Sequence, residues 1–267
     1  MPRFAANLTM MFGEHAFPDR FAAAADCGFT AVEFLFPYDY PPALIAEKLA
    51  QNGLTLALFN LPAGDWAGGA RGLAALHGAD AVFSASVDKA LLYAAATGAA
   101  RVHMMAGLAD PADAAAAARY REALCLAADK AGEAGLDLLI EPINGRNMPG
   151  YFLNDFNRAA DIIAGCGRPN VRLQFDIYHR QILHGDVLTG LEALLPLTGH
   201  VQIAAVPHRH EPGTGELDDF RLFEALDALG YRGWVGCEYI PATQTRAGLG
   251  WLAKAAGGRS ERNPPTP

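Results

Sequence analysis

The sequence predicts an α/β chain folded as a single (β/α)8 barrel, and three observations carry that prediction. Eight short strand-like runs, at 3–7, 31–34, 54–59, 101–105, 137–141, 171–176, 200–204 and 234–238, alternate with longer alanine-rich runs of helical period. Such alternation is what a parallel sheet with helical crossovers requires. Glycine stands just ahead of strands two to eight, as Gly28, Gly53, Gly98, Gly135, Gly167, Gly199 and Gly230, where a helix end needs a left-handed turn. The length, 267 residues, is close to the roughly 250 of a closed barrel. An open doubly wound sheet alternates in the same way, but strand count and length favour closure.

The predicted helices between the strands run over 18–26, 41–51, 87–96, 112–134, 154–164 and 218–229. In the longest, Tyr120, Leu124, Ala128 and Ala131 recur at helical spacing, which marks one apolar face. The longest connection follows the third strand: it opens with Asn60-Leu61-Pro62-Ala63-Gly64-Asp65-Trp66 and stays glycine-rich to Gly78. Long loops over a barrel mouth are usually lids or binding loops. Residues 1–256 are expected to form the barrel domain. The last stretch, 257–267, has no apolar pattern and is expected to be a disordered tail.

A composition of 51% hydrophobic and 19% charged residues belongs to a chain that buries a core, not to a disordered one. The net charge of −8 opposes binding to phosphate backbones and anionic lipid, so nucleic acid and membrane are not expected partners. The opening residues lack the basic start and apolar stretch of a secretion signal, and no later segment is apolar enough to span a bilayer, so the expected location is the cytoplasm. Cys27, Cys125, Cys166 and Cys237 form no C-x-x-C pair and read as buried or partly buried thiols. A homo-oligomer, a dimer first, is the expected assembly.

Working groups in such barrels sit at the C-terminal ends of the strands. Four successive strands end in or carry polar ligands: Glu141, Asp176, Gln202 and Glu238, separated by 35, 26 and 36 residues, one barrel unit each. Any one of them alone reads as a helix cap or a solvated loop residue, but four in register read as a site. Three carboxylates converging on one mouth would repel each other unless a cation compensated them. An all-oxygen set of three carboxylates and one amide favours Mg²⁺ or Mn²⁺ over Zn²⁺.

With a divalent ion that cluster still carries one negative charge, so an anionic substrate needs further cations. Arg146, His179 and Arg209 follow the same strand ends and are the candidates. Gly213-Thr214-Gly215 lacks the ending of a phosphate loop and reads as a tight turn. His103 reads as a core histidine, and Cys237 should face away from Glu238 by strand alternation. No G-x-S-x-G element and no lysine at a strand end offers a nucleophile.

Six blocks together resemble the hydroxypyruvate isomerase family of the xylose isomerase-like TIM barrels. They are Phe4-Ala5-Ala6-Asn7-Leu8-Thr9-Met10-Met11-Phe12, Ala31-Val32-Glu33-Phe34-Leu35-Phe36-Pro37-Tyr38-Asp39, the 60–66 block, Glu141-Pro142-Ile143-Asn144, Gln174-Phe175-Asp176-Ile177-Tyr178-His179 and Glu211-Pro212-Gly213-Thr214-Gly215-Glu216. The likeness runs from about residue 3 to residue 256. It implies that Glu141, Asp176, Gln202 and Glu238 match metal-binding positions and that Glu141 and Glu238 match the pair that moves protons. It also implies that His179 and Arg209 match substrate-contacting positions of related sugar epimerases, which carry histidine where this chain has Gln202.

The resemblance implies isomerisation of hydroxypyruvate to tartronate semialdehyde through an enediolate. Three alternatives stand beside it. A close branch acts on 2-oxo-tetronate, or a related sugar acid or ketose would be isomerised or epimerised, with mouth volume near Trp66, Phe36 and Arg146 deciding. A metal phosphoesterase like endonuclease IV is disfavoured by the charge and by Gln202. A barrel that binds a sugar acid without turnover would not need two glutamates.

Overall fold

The computed structural model describes residues 1–257. Eight parallel strands close into a barrel in sequence order: β1 (Arg3–Asn7), β2 (Ala31–Phe34), β3 (Thr55–Asn60), β4 (Arg101–His103), β5 (Asp137–Ile140), β6 (Val171–Asp176), β7 (Thr198–Ile203) and β8 (Trp234–Cys237). Closure is made by β1 on β8, with Arg3 beside Trp234 and Ala6 beside Cys237. The described helices are α1 (Arg20–Asp26), α2 (Pro42–Gln51), α3 (Asp80–Thr97), α4 (Ala114–Glu133), α5 (Phe156–Cys166), α6 (Ile177–Leu183), α7 (Val187–Leu194), α8 (Asp219–Ala228) and α9 (Gly250–Gly257).

Strand alternation divides the molecule into two packed zones. One face of each strand supplies Phe4, Val32, Leu56, Val102, Leu138, Ile140, Leu173, Val201, Val235 and Cys237 to the continuous apolar layer under the helices. The other face points inward. Small residues Ala5, Ala31 and Ala57 pack there with Trp234 as a separate apolar patch. Further along the same faces come Asn7, Glu33, His103, Glu141, Gln174, Asp176, His200, Gln202 and Glu238, all buried. That His200 on β7 meets Glu33 on β2 at 2.7 Å proves the direction, since non-neighbouring strands touch only across the interior.

Six of the seven predicted glycine junctions have positive φ, from 62° at Gly53 to 88° at Gly28. Gly199 does not end a helix. It lies inside β7, and a Cβ there would meet Leu139 and Arg172 at 2.8 Å, so its role is close approach between strands. The stretch between β6 and β7, for which no helix was predicted, holds α6 and α7. α3 starts seven residues before its predicted beginning, at Asp80.

Of the predicted tail, Gly257 closes α9 and 258–267 lie outside the described residues. No described helix is long and apolar enough to cross a membrane. All four cysteines are free thiols; Cys166 and Cys237 are buried, and Cys237 sits on the helix side as alternation requires.

Candidate active site

Glu141, Asp176, His179 and Glu238 converge at the C-terminal ends of β5, β6 and β8, with one potential ligand atom from each lying within 4.8 Å of the others. Asp176 is aimed by its own helix. As N-cap of α6 it accepts from the Tyr178 N–H at 2.7 Å through Oδ1, which satisfies a helix-end donor and leaves Oδ2 turned to the cluster. Oδ2 of Asp176 and Oε1 of Glu141 are buried without a hydrogen-bond partner, and so is Nε2 of His103. Unmet buried oxygens on converging carboxylates are the donor set a divalent cation needs. The residues therefore fit a metal ion.

Burial governs the electrostatics. It raises Glu141 well above the ordinary carboxylate range, with Glu238 and Asp176 adding repulsion. It lifts Glu238 to about 8 and Asp176 to about 6 against the opposing pull of Arg209. The Arg209 guanidinium donates to Glu238 Oε2 and lies 3.7 Å from Asp176 Oδ2, while its Nε reaches the Glu238 carbonyl at 3.2 Å. These carboxylates outweigh the burial of Arg209 and raise its pKa. Arg209 takes φ 58°, a region costly for a side-chain-bearing residue by about 1–3 kcal/mol, and backbone bonds to Ala205 and Ile240 hold it there.

Gln202 stands beside Asp176 in register on β7, and both ends of its amide are engaged by other side chains. Its Nε2 donates to Glu33 at 2.8 Å and its Oε1 accepts from Gln174 at 2.6 Å. Glu33 also accepts from Asn7 at 3.0 Å, and Asn7 reaches Glu238 at 3.5 Å. Sequence reasoning passed over Glu33. A glutamate in the middle of the apolar run Ala31-Val32-Glu33-Phe34 was the available signal.

The mouth is a cavity of about 210 Å³ lined by Glu141, Glu238, His179 and Arg209, by His103 and Arg71, and by Asn60, Trp66 and methionines. It lies below the roughly 300–1,000 Å³ typical of drug-sized ligands. His103, read from sequence as a core histidine, reaches this cavity. Its Nε2 is 3.8 Å from Glu141, and burial depresses it to about 3. Trp66 lines the mouth as expected of the long loop, packed against Phe36 with ring centroids 4.9 Å apart and planes tilted by 56°. Arg146 is exposed and absent from the lining, so the structure does not bring it to the other predicted residues. Arg71, which the sequence reading did not single out, is there instead.

A closed parallel barrel whose strand ends gather buried carboxylates around a small cavity defines an enzyme of the acidic-mouth barrel class. The chain belongs to the xylose isomerase-like TIM barrel family, whose model matches residues 21–255. It is 56% identical to a Cupriavidus necator protein named 2-oxo-tetronate isomerase, over 94% of this chain and 98% of that protein. It is 44% identical to the hydroxypyruvate isomerase of Escherichia coli, over the same shares. A crystal structure from Brucella melitensis, titled AP endonuclease, family 2, superposes with a TM-score of 0.93 at 48% identity, covering 95% of this chain and 99% of that one.

Proposed function

We propose that this chain isomerises a short 2-oxo acid bearing a hydroxyl on the next carbon, by moving one proton between the adjacent carbons and the hydroxyl proton between their two oxygens. Hydroxypyruvate, giving tartronate semialdehyde, is the substrate expected from sequence. The higher identity to the C. necator relative favours the four-carbon 2-oxo-tetronate. The observation that carries the reading is two glutamates, Glu141 and Glu238, lining one small buried cavity with perturbed proton affinities.

Glu141, Asp176 and Glu238 would hold the metal, with Gln202 the fourth ligand expected from sequence, and the all-oxygen character of that set favours Mg²⁺ or Mn²⁺. When bound, a divalent ion supplies Lewis-acid polarisation of the substrate oxygens. Arg209 donates to Glu238 and not to Glu141, which favours the ionised form of Glu238. Glu238 is therefore the base that takes the proton from the hydroxyl-bearing carbon. Glu141, whose proton is held by burial and repulsion, returns one to the former carbonyl carbon. His179, whose Nε2 lies 3.5 Å from Asp176 and 3.9 Å from Glu141, donates to the charge that grows on the substrate oxygens in the enediolate, and Arg209, held on Glu238 and Asp176, adds its positive charge beside them. Trp66, Ile143, Met105 and Met148 exclude water from that charge.

The phosphodiesterase reading attached to the Brucella melitensis structure fits less well. A net charge of −8 and a small buried mouth oppose a DNA backbone. The test is proton NMR of metal-loaded protein in deuterated water with hydroxypyruvate and 2-oxo-tetronate run side by side. Conversion of at least one acid with deuterium entering at carbon is expected. Absence of both conversion and exchange across Mg²⁺ and Mn²⁺ would reject the reading.

A further inference from the structure

We infer that Arg71, on the loop between β3 and α3, is the residue that binds the carboxylate of the substrate. This rests on the oxo-acid reading of the site and names the group that recognises the acid. Two permanently charged cations line the cavity, Arg71 and Arg209. The two lining histidines face the acids, His103 Nε2 lying 3.8 Å from Glu141 and His179 Nε2 3.5 Å from Asp176. Arg209 is already committed, since Glu238 and Asp176 lie against its guanidinium and the Glu238 carbonyl takes its Nε.

Arg71 is not committed. Among the described residues no carboxylate pairs with it, and its polar contacts are two backbone carbonyls, Trp66 at 3.1 Å and Ala70 at 2.7 Å, both through Nη1. Nε and Nη2 remain as donors. The guanidinium lies over the Trp66 ring at 4.3 Å, which fixes its plane and leaves its edge free for a two-pronged bond to a carboxylate.

The charge of the pocket asks for such a group. Three carboxylates, a divalent ion and Arg209 leave it neutral, so among the described residues that line it Arg71 is the cation left for an incoming anion. The segment that carries Arg71 is anchored on both sides. Its carbonyl accepts from the Gly107 N–H at 3.1 Å, the next N–H goes to Ala63 at 3.1 Å, and Gly72 forms a bridge with Ala106. The cation is therefore set in place before substrate arrives, and binding need not order it.

Two measurements test this. Calorimetric titration of Mg²⁺-loaded protein with tartronate, a hydroxy acid that cannot be isomerised, should show R71M weakened about tenfold or more, the range for hydrogen bonds to charged groups, and R71K intermediate. Steady-state kinetics should show the R71M loss in KM more than in kcat for hydroxypyruvate, with hydroxypyruvamide, its neutral amide, turned over by R71M within about twofold of wild type. Wild-type affinity for tartronate in R71M, an equal loss on acid and amide, or the loss falling on R146M instead would overturn the assignment. Arg71-dependent binding of tartronate without turnover of any oxo acid by wild type would overturn the isomerase reading and leave this one standing.

Discussion

Asn144 fixes the tautomer of His179: its backbone N–H and its Nδ2 lie 3.3 and 2.6 Å from Nδ1 of the imidazole. A backbone N–H can only donate, so Nδ1 is the bare acceptor and the proton sits on Nε2. That nitrogen points at Asp176 Oδ2, 3.5 Å away, and Glu141 Oε1, 3.9 Å away. His179 therefore meets the cluster as a donor, in keeping with a substrate contact and not with a metal ligand, which would need a bare Nε2.

Replacing Asn144 with Asp keeps the oxygen that accepts from the Arg146 and Asn147 N–H groups at 3.0 Å but removes the Nδ2 donor. The new carboxylate stabilises a protonated Nδ1, so the His179 pKa, now far below its ordinary value through burial, should rise. Imidazole ¹⁵N shifts of N144D should show the change of tautomer or charge, and turnover should fall about tenfold or more.

The buried Glu238 sets a pH dependence of stability in chelator-treated protein. Its folded pKa, about 8, stands above the ordinary 4.5, so the folded state binds the extra proton and loses stability as pH rises from about 4.5 through 8. The variant E238Q abolishes that titration. Its Tm relative to wild type should be lowest near pH 4.5 and climb towards pH 8, and saturating Mg²⁺ should reverse the advantage at pH 8. The same variant should turn substrate over at least about 100-fold more slowly. A flat Tm difference across this range would contradict a Glu238 carboxyl whose proton is held by burial against the pull of Arg209.

Gly72 has φ 115°, and a Cβ there would run into the Met105 carbonyl and the Gly107 N–H. Only glycine allows the strand-like contact with Ala106 that presents the neighbouring Arg71. G72A should lose about 2 kcal/mol or more of stability, about 4–8 °C in Tm. Its surviving activity should show a raised KM, because the displaced group is the binding one.

Strand order, the outward face of Cys237 and the strand-end positions of Glu141, Asp176 and Glu238 were legible in the sequence. All follow from local periodicity, and a barrel places successive strand ends on one rim whatever the loops do. Six glycine junctions were legible for the same reason, since positive φ at a helix end is a local demand. Gly199 was misread because a glycine needed for close approach between strands looks, in one dimension, like a glycine needed for a turn.

Distance along the chain, which gave Arg146 a place near Glu141, failed where a loop turns: the Asn144 side chain folds the 144–147 segment back, and Arg146 is left in solvent. Arg71 comes from a different barrel unit and reaches the cavity through backbone bonds to Ala63, Ala106 and Gly107 that no local pattern encodes. The cross-barrel network of Glu33, His200 and Gln202 is likewise built between residues up to 169 positions apart. The sequence by itself determined the barrel and which strand ends carry its acids, because period and capping act over a few residues. Only the tertiary structure decided which cations face those acids, how His179 is protonated and where the Gln202 amide points, because each depends on contacts made when distant loops and opposite strands close on one another.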